Sequence, residues 1–450
     1  MRGCILAMTL LISTPIIATE IENNEVDGFD KAAINLTDIK PVLNRIAKHP
    51  AITLQQLGRS YHSQPIYALD IGSGTTKVMM WSQMHGDENT ATAALMDFLD
   101  FITLPENAHW LQNWQDKLTL RIIPMINPDG AKAQTRHNAQ GIDLNRDAKA
   151  LRTPEGQTLM RAAKEFKPDF GFNLHDQNAY YGAGKKGNQA TISVLAPAYN
   201  DAREINTSRG EAMQLIAHLA KTIETMIPGH LAKYNDSYSY RSFGDTFSEM
   251  GIRTILIESG AYPNDPHRQV ARKVNRVLYK EIIDTLQNGT WKAASINQYN
   301  AIPFNASNNW VDLLIDDVNV QSHYGDYKID IAINNKGNAP RIKELGDISS
   351  IRRGYTQIDA NKLVYNPGKG FSLTEPIKLN KRHYKELLKQ GYSCFSGDFA
   401  KLDNRSHWPV YRCQGAFDSQ PKLHASAAFL LYQGQTIKYA VLGSELIKLN

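Results

Sequence analysis

From about residue 25 to residue 290 the chain alternates short, mainly apolar runs with longer amphipathic stretches. The runs at 66–71, 77–84, 118–126, 169–174, 191–195 and 254–257 are bounded by Gly, Pro or Asn, as strands buried on both faces should be. Helical patterns fall at 90–102, 154–166, 202–226 and 266–286, with Pro154 suited to a first helical position. Such alternation predicts an α/β fold: a mostly parallel or mixed sheet with helices on both faces. Ligands of such sheets bind beyond the carboxyl ends of the strands. His85, Asn127, His175 and Glu258 each stand at or just past such an end.

The pattern changes after residue 289. Asn297, Asn300, Pro303, Asn305, Asn308 and Asn309 read as loop, so 20–295 is expected to be the catalytic domain and 296–310 a linker. Beyond it come short strand patterns at 311–315, 327–333, 427–431 and 437–442, with helical signal confined mainly to 383–389. Residues 311–450 are therefore expected to form a smaller, β-rich accessory domain.

At the other end, Arg2 precedes an apolar run through Ile12 that ends near Pro15, and the first acid is Glu20. This is the pattern of a secretory signal peptide covering 1–19, too short for a comfortable membrane span. The mature protein is expected to be secreted or periplasmic, without stable membrane insertion. Residues 20–40 are too few for a folded inhibitory pro-domain. Of three cysteines, Cys4 would leave with the signal; Cys394 and Cys413 remain and are expected to pair in an oxidising compartment. The net charge of +5 over 450 residues, with no basic cluster, argues against a nucleic-acid partner.

The candidate chemistry begins at His85-Gly86-Asp87-Glu88. A histidine and a glutamate three apart can both turn toward one metal ion. Zinc accepts imidazole and carboxylate, and a catalytic zinc usually takes three protein ligands. His175, closing the apolar run Phe172-Asn173-Leu174, is the expected third. Asn127-Pro128-Asp129-Gly130 reads as turn chemistry. Arg136 and Arg146 lie on loops nearby, where a guanidinium can grip a carboxylate with two parallel hydrogen bonds or polarise a carbonyl. Glu258 is the first charge after the run Thr254-Ile255-Leu256-Ile257. A carboxylate at the mouth of a buried strand can take a proton from a water that a metal has made more acidic.

Taken in order, these strings resemble the carboxypeptidase A-like family of zinc metallocarboxypeptidases, over roughly residues 30–290. The resemblance implies one zinc ion held by His85, Glu88 and His175, with Asp143 orienting His85. It implies that Asn145 and Arg146 hold the free C-terminal carboxylate of a peptide, that Arg136 stabilises the oxyanion, and that Glu258 is general base and then acid. The family's mobile tyrosine has three competitors here, Tyr234, Tyr238 and Tyr240, of which Tyr240 is taken. The chain departs from the family where a small hydroxyl residue commonly follows the third ligand: Asp176 and Gln177 stand there. The specificity pocket is expected between Arg241 and Gly251, where Asp245 would favour basic side chains and Phe243 or Phe247 apolar ones. In the accessory domain, Ile329-Asp330-Ile331-Ala332-Ile333, Leu345-Gly346-Asp347-Ile348 and Pro367-Gly368 look like the β-sandwich of amidohydrolases, with Lys369-Gly370-Phe371 where a metal-binding His-x-His would follow.

The expected function is an exported zinc carboxypeptidase acting on peptides with a free C-terminal carboxylate. Two other readings compete. One is a peptidoglycan stem-peptide hydrolase or amidase on the same scaffold; the other is a catalytically dead binding module, which predicts a missing ligand or base. A carbohydrate or a protein could bind the accessory domain, and nothing in its sequence selects between them.

Overall fold

The computed structural model describes residues 21–185, 187–335, 340–413 and 419–449. The proposed signal segment lies outside the described residues. The chain forms two units. One comprises Met1–Ala179 and Gly187–Asn305; the other comprises Tyr180–Lys186 and Ala306–Asn450. The seven residues Tyr180–Lys186, interior to the expected catalytic domain, thus belong to the second unit.

The first unit is built on an eight-stranded sheet: β1 (Ile52–Arg59), β2 (Pro65–Ile71), β3 (Thr76–Ser82), β4 (Leu118–Ile123), β5 (Phe170–Asp176), β6 (Ile192–Leu195), β7 (Leu231–Lys233) and β8 (Arg253–Ser259). Their order across the sheet is β1-β2-β4-β3-β5-β8-β6-β7. The central run β4-β3-β5-β8 is parallel. The junctions β1/β2, β2/β4 and β8/β6 are antiparallel, so the sheet is mixed.

The period-2 alternation of buried strands sends successive side chains to opposite faces. Val78 and Met80 of β3 join one core with α1 (Leu36–Ile46), α2 (Thr90–Thr103), α4 (Thr207–Met226) and α6 (Gln269–Asn288). Met79 and Trp81 join the other, with α3 (Pro154–Phe166) and α5 (Phe243–Glu249). Helices cover both faces, as expected. Strands β1 and β7 and helices α1 and α5 were not expected from the pattern.

The stretch expected to be a linker opens instead with a helix, Ile296–Ala301. A reciprocal cap explains it: Ser295 accepts from the Gln298 backbone N–H while the Gln298 side chain accepts from the Ser295 N–H.

The second unit contains one eight-stranded sheet whose members include Trp310–Val320, Tyr327–Asn334, Ala428–Gln433 and Thr436–Leu442. Its outer strand Arg341–Gly346 is tied to the segment leading into Ala428–Gln433: Ile342 N–H donates to Ala425 O at 3.0 Å and His424 N–H to Ile342 O at 2.8 Å. The sheet thereby curls around Leu313, Ile315, Ile331 and Phe429. Cys394 and Cys413 are joined by a disulfide, as expected. Asp330, from the amidohydrolase-like string, accepts the backbone N–H groups of Asp317, Ile348 and Ser349, each at 2.8 Å. Tyr180–Lys186 is built into the same unit: Tyr180 donates its hydroxyl to Asp312 at 2.7 Å, and Asn309 donates to Tyr180 O and Gly184 O.

Candidate metal centre

The site forms where the central parallel strands end. β3 runs out into Gln83-Met84-His85, and α2 begins at Thr90, two residues after Glu88. The loop between them lies directly on the Asn127-Pro128-Asp129-Gly130 turn. A Cβ on Gly86 would fall 2.0 Å from the carbonyl carbon of Gly130, so that backbone approach admits no side chain at residue 86. Asn127 is structural. Its Oδ1 accepts from Gly130 N–H at 2.9 Å and its Nδ2 donates to Met84 O at 3.2 Å.

His85, Glu88 and His175 come together, with one donor atom from each within 4.8 Å of the others. His85 Nδ1 and His175 Nδ1 each lie 2.7 Å from a different oxygen of Glu88. His85 Nε2 faces Asp143 Oδ1 at 3.1 Å, so the ring is oriented from behind, with Nδ1 turned to the trio. Arg136 reaches into the same space: its Nη1 lies 3.1 Å from His85 Nδ1 and 3.3 Å from Glu88 Oε1, and its Nε donates to Asp143 at 3.1 Å. Two imidazoles and a carboxylate converging within bonding range of a cation are the donor set zinc takes. The buried His175 Nε2, on the far side of its ring, has no hydrogen-bond partner among the described residues.

The charges are mutually arranged. Burial opposes ionisation of Glu88, but the charge and hydrogen bond of His175, with those of His85, hold its carboxyl well below the usual range. Asp143 is likewise held low, against burial, by His85 and Arg136. Burial lowers the His85 pKa, but the bonds to Asp143 and Glu88 and the charge of Glu88 outweigh it, and the net direction is up.

Glu258 stands opposite His175 in the β5/β8 register. Among the described residues no donor bonds its carboxylate. Burial pushes it up to about 8, with the charges of Glu88 and Asp176 adding to the effect and His175 opposing it. This is the environment that makes a carboxyl able to exchange protons near neutrality.

The expected substrate residues are placed less uniformly. Asn145 is fixed to both sides of the site: its N–H donates to Asp143 at 2.9 Å, and its Oδ1 accepts from Phe243 N–H at the start of α5 at 3.0 Å. Arg146 is exposed and donates to Asn145 O at 2.7 Å. Tyr240 is not brought to the trio; the residue is 60% exposed, with Lys149 Nζ 4.9 Å from its ring centroid. Phe243 and Phe247 are fully buried, and Phe247 packs on Trp81 in the core. Asp245 accepts from Ser239 N–H and Ser242 Oγ, each at 2.9 Å. Sequence reasoning missed Thr90 and Arg268, which meet at Asp176. The one available signal was Asp176 itself, a charge directly after a metal ligand.

A family model described as zinc carboxypeptidase matches residues 39–310. Carboxypeptidase 2 of Trichophyton tonsurans is 24% identical over 136 residues, covering 30% of this chain and 24% of that protein. Murein peptide amidase A of Escherichia coli K12 is 34% identical over 77 residues, covering 17% of this chain and 27% of that protein. The match thus spans only about a quarter of the length of these two curated relatives. A metallo-carboxypeptidase structure from Burkholderia cenocepacia aligns with TM-score 0.46 and 16% identity over 58% of this chain and 70% of that one. Among the described residues no helix is long and apolar enough to cross a membrane.

Proposed function

We propose, starting from the fact that the chain belongs to the zinc carboxypeptidase family, that it is an exported hydrolase removing the C-terminal residue of peptides. The observation that carries this reading is the convergence of His85, Glu88 and His175 with Arg136 and Glu258 at the ends of adjacent strands. Zinc held by the trio would supply Lewis-acid chemistry, polarising the scissile carbonyl and making water more acidic. The chain's own groups do the rest. Glu258 takes the proton of the attacking water at its carboxylate and passes it to the leaving amine nitrogen as the C–N bond breaks. Arg136 faces the carbonyl oxygen as negative charge develops there. Arg146 and Asn145 hold the terminal carboxylate, which places only the last peptide bond at the base. Tyr240, exposed on the stretch before α5, would turn onto the bound substrate. Export is supported by the signal-like first 19 residues and by a disulfide suited to an oxidising compartment.

The stretch similar to murein peptide amidase A favours one second reading, a peptidase of cell-wall stem peptides. Both readings are tested by one assay. The mature protein, with and without chelator, is given N-blocked dipeptides as free acids and as C-terminal amides, and separately peptidoglycan fragments. Chelator-sensitive release from the acids alone is expected. Equal release from amides would remove Arg146 as the carboxylate clamp. Release from cell-wall fragments only would select the second reading.

A further inference from the structure

Asp176 is a buried acid for which the proposed chemistry has no use. It ends β5, one residue after His175, and its side chain is 8% exposed. Its Oδ2 accepts from Thr90 Oγ1 at 2.8 Å and from Thr90 N–H at 3.2 Å. Thr90 opens α2, and the preceding Asn89 makes no side-chain cap of its own. Asp176 therefore caps, from a neighbouring strand, the helix that begins two residues after Glu88. The Asp176 backbone acts on the same target: its N–H donates to Glu88 Oε2 at 3.1 Å. A third tie runs the other way. Arg268 Nη1 lies 3.6 Å from Asp176 Oδ2 and donates to Ser259 O at 2.7 Å, and Ser259 is both the register partner of Asp176 and the neighbour of Glu258. Asp176 Oδ1 is buried with no hydrogen-bond partner among the described residues. Such a carboxylate is costly to bury, and a helix cap alone could be had from a neutral residue at position 89.

We infer that Asp176 is a positioning residue that fixes the Glu88 carboxylate against His175 for metal binding, through Thr90, and ties that pair to the strand end carrying Glu258, through Arg268. The inference rests on the metal reading of the site but not on the substrate. Among the described residues the side chain bonds Thr90 and Arg268 and no member of the trio; it acts through the helix start and through Arg268.

The test measures zinc affinity of the full chain by competition with a chelating dye, alongside the melting temperature of the metal-free protein. Asp176→Ala should bind zinc about 10- to 100-fold more weakly, the range typical when a group orienting a ligand is lost. Asp176→Asn, which keeps an oxygen to accept from Thr90, should recover most of that affinity. Thr90→Val, removing the hydroxyl donor and leaving the N–H, should weaken zinc by roughly two- to tenfold, one hydrogen bond's worth. It serves if Asp176→Ala does not fold. A purely architectural role would lower the metal-free melting temperature of the Ala variant and leave the zinc affinity of the folded protein alone. Wild-type affinity in folded Asp176→Ala, or in Thr90→Val, overturns the proposal. Wild-type protein that binds zinc but cleaves no peptide sinks the carboxypeptidase reading and leaves this one standing.

Discussion

Asp97, fully buried, and Glu258, half-buried at the end of its strand, are carboxylates of the same unit, and the fold treats them in opposite ways. Asp97 is completely saturated. Its Oδ1 accepts from Val26 N–H at 2.8 Å and from Arg272 at 2.6 Å; its Oδ2 accepts from Arg272 at 2.8 Å and from Arg276 at 3.3 Å. The two arginines go on to bind the backbone of the N-terminal segment, at Ile21 O and Val26 O, each at 2.9 Å. Glu258 has an imidazole across the register and, among the described residues, no donor on its oxygens. Burial with every lone pair answered is construction. Burial with the lone pairs left open is capacity, waiting for a proton or a substrate atom.

That contrast can be broken from both sides. The largest effect is expected at the open carboxylate. Glu258→Gln should lower kcat by roughly 10²- to 10⁴-fold, the usual worth of a general acid–base, while zinc affinity stays near wild type and the melting temperature does not fall. Loss of folding instead would place Glu258 with the construction. Removing the saturated carboxylate should do the reverse. Asp97→Ala leaves buried Arg272 without its carboxylate and Arg276 with Glu25 alone, and should destabilise the protein by about 3–5 kcal/mol, with residues 21–26 becoming the first site of limited proteolysis. Wild-type stability in a urea titration would contradict this.

A pH titration sharpens the comparison further. In the metal-free protein the folded Glu258 holds its proton up to about 8, far above an unfolded glutamic acid near 4.5. Its contribution to stability is therefore complete below about pH 4.5 and is lost as pH rises toward 8, on the order of a few kcal/mol in all. His85, also raised, acts in the same direction. Melting temperature of the metal-free wild type should fall between pH 5 and pH 8, and Glu258→Gln should flatten part of that slope. A slope unchanged by Gln would assign all of it to other groups. The smallest effect is expected in the second unit: Cys394→Ser with Cys413→Ser should cost about 2–4 kcal/mol by unlinking a loop whose cysteines stand 19 positions apart, and should leave zinc affinity untouched.

Much of this was readable before the structure because the central strands are continuous apolar runs. Val78-Met79-Met80-Trp81 can hardly be anything but a strand buried on both faces, and the polar residue where such a run stops falls at the site by construction of the fold. What escaped has physical reasons. β1 is an edge strand whose Gln55 and Gln56 break the apolar run, so it carries no burial signature. α5 spans seven residues, under two helical turns, too few for a period to register. Arg272 reads as one more charge on an amphipathic helix, because its partner lies 175 residues away. Asn145 was named for a substrate, and its bond to Phe243 N–H shows it also pinned to α5. The pocket alternatives built on Phe243 and Phe247 weakened for a similar reason: an amphipathic pattern tells that one face is buried, but not against what.

The placement of Tyr180–Lys186 bears on how the protein is made. Tyr180 leaves the ribosome 132 residues ahead of Asp312, the acid that receives its hydroxyl. At about 5–20 residues per second that interval is roughly 7–26 s. From its start the strand bearing His175 can pair with β3, and with β8 once Arg253–Ser259 has emerged, while the segment a few residues further on has nothing of its own unit to join. Synthesis order and domain order are therefore out of step. A chain stopped at residue 305 would lack Asn309 and Asp312, the residues to which Tyr180 is bonded in the full-length chain, and should be cut more readily near Tyr180 in limited proteolysis.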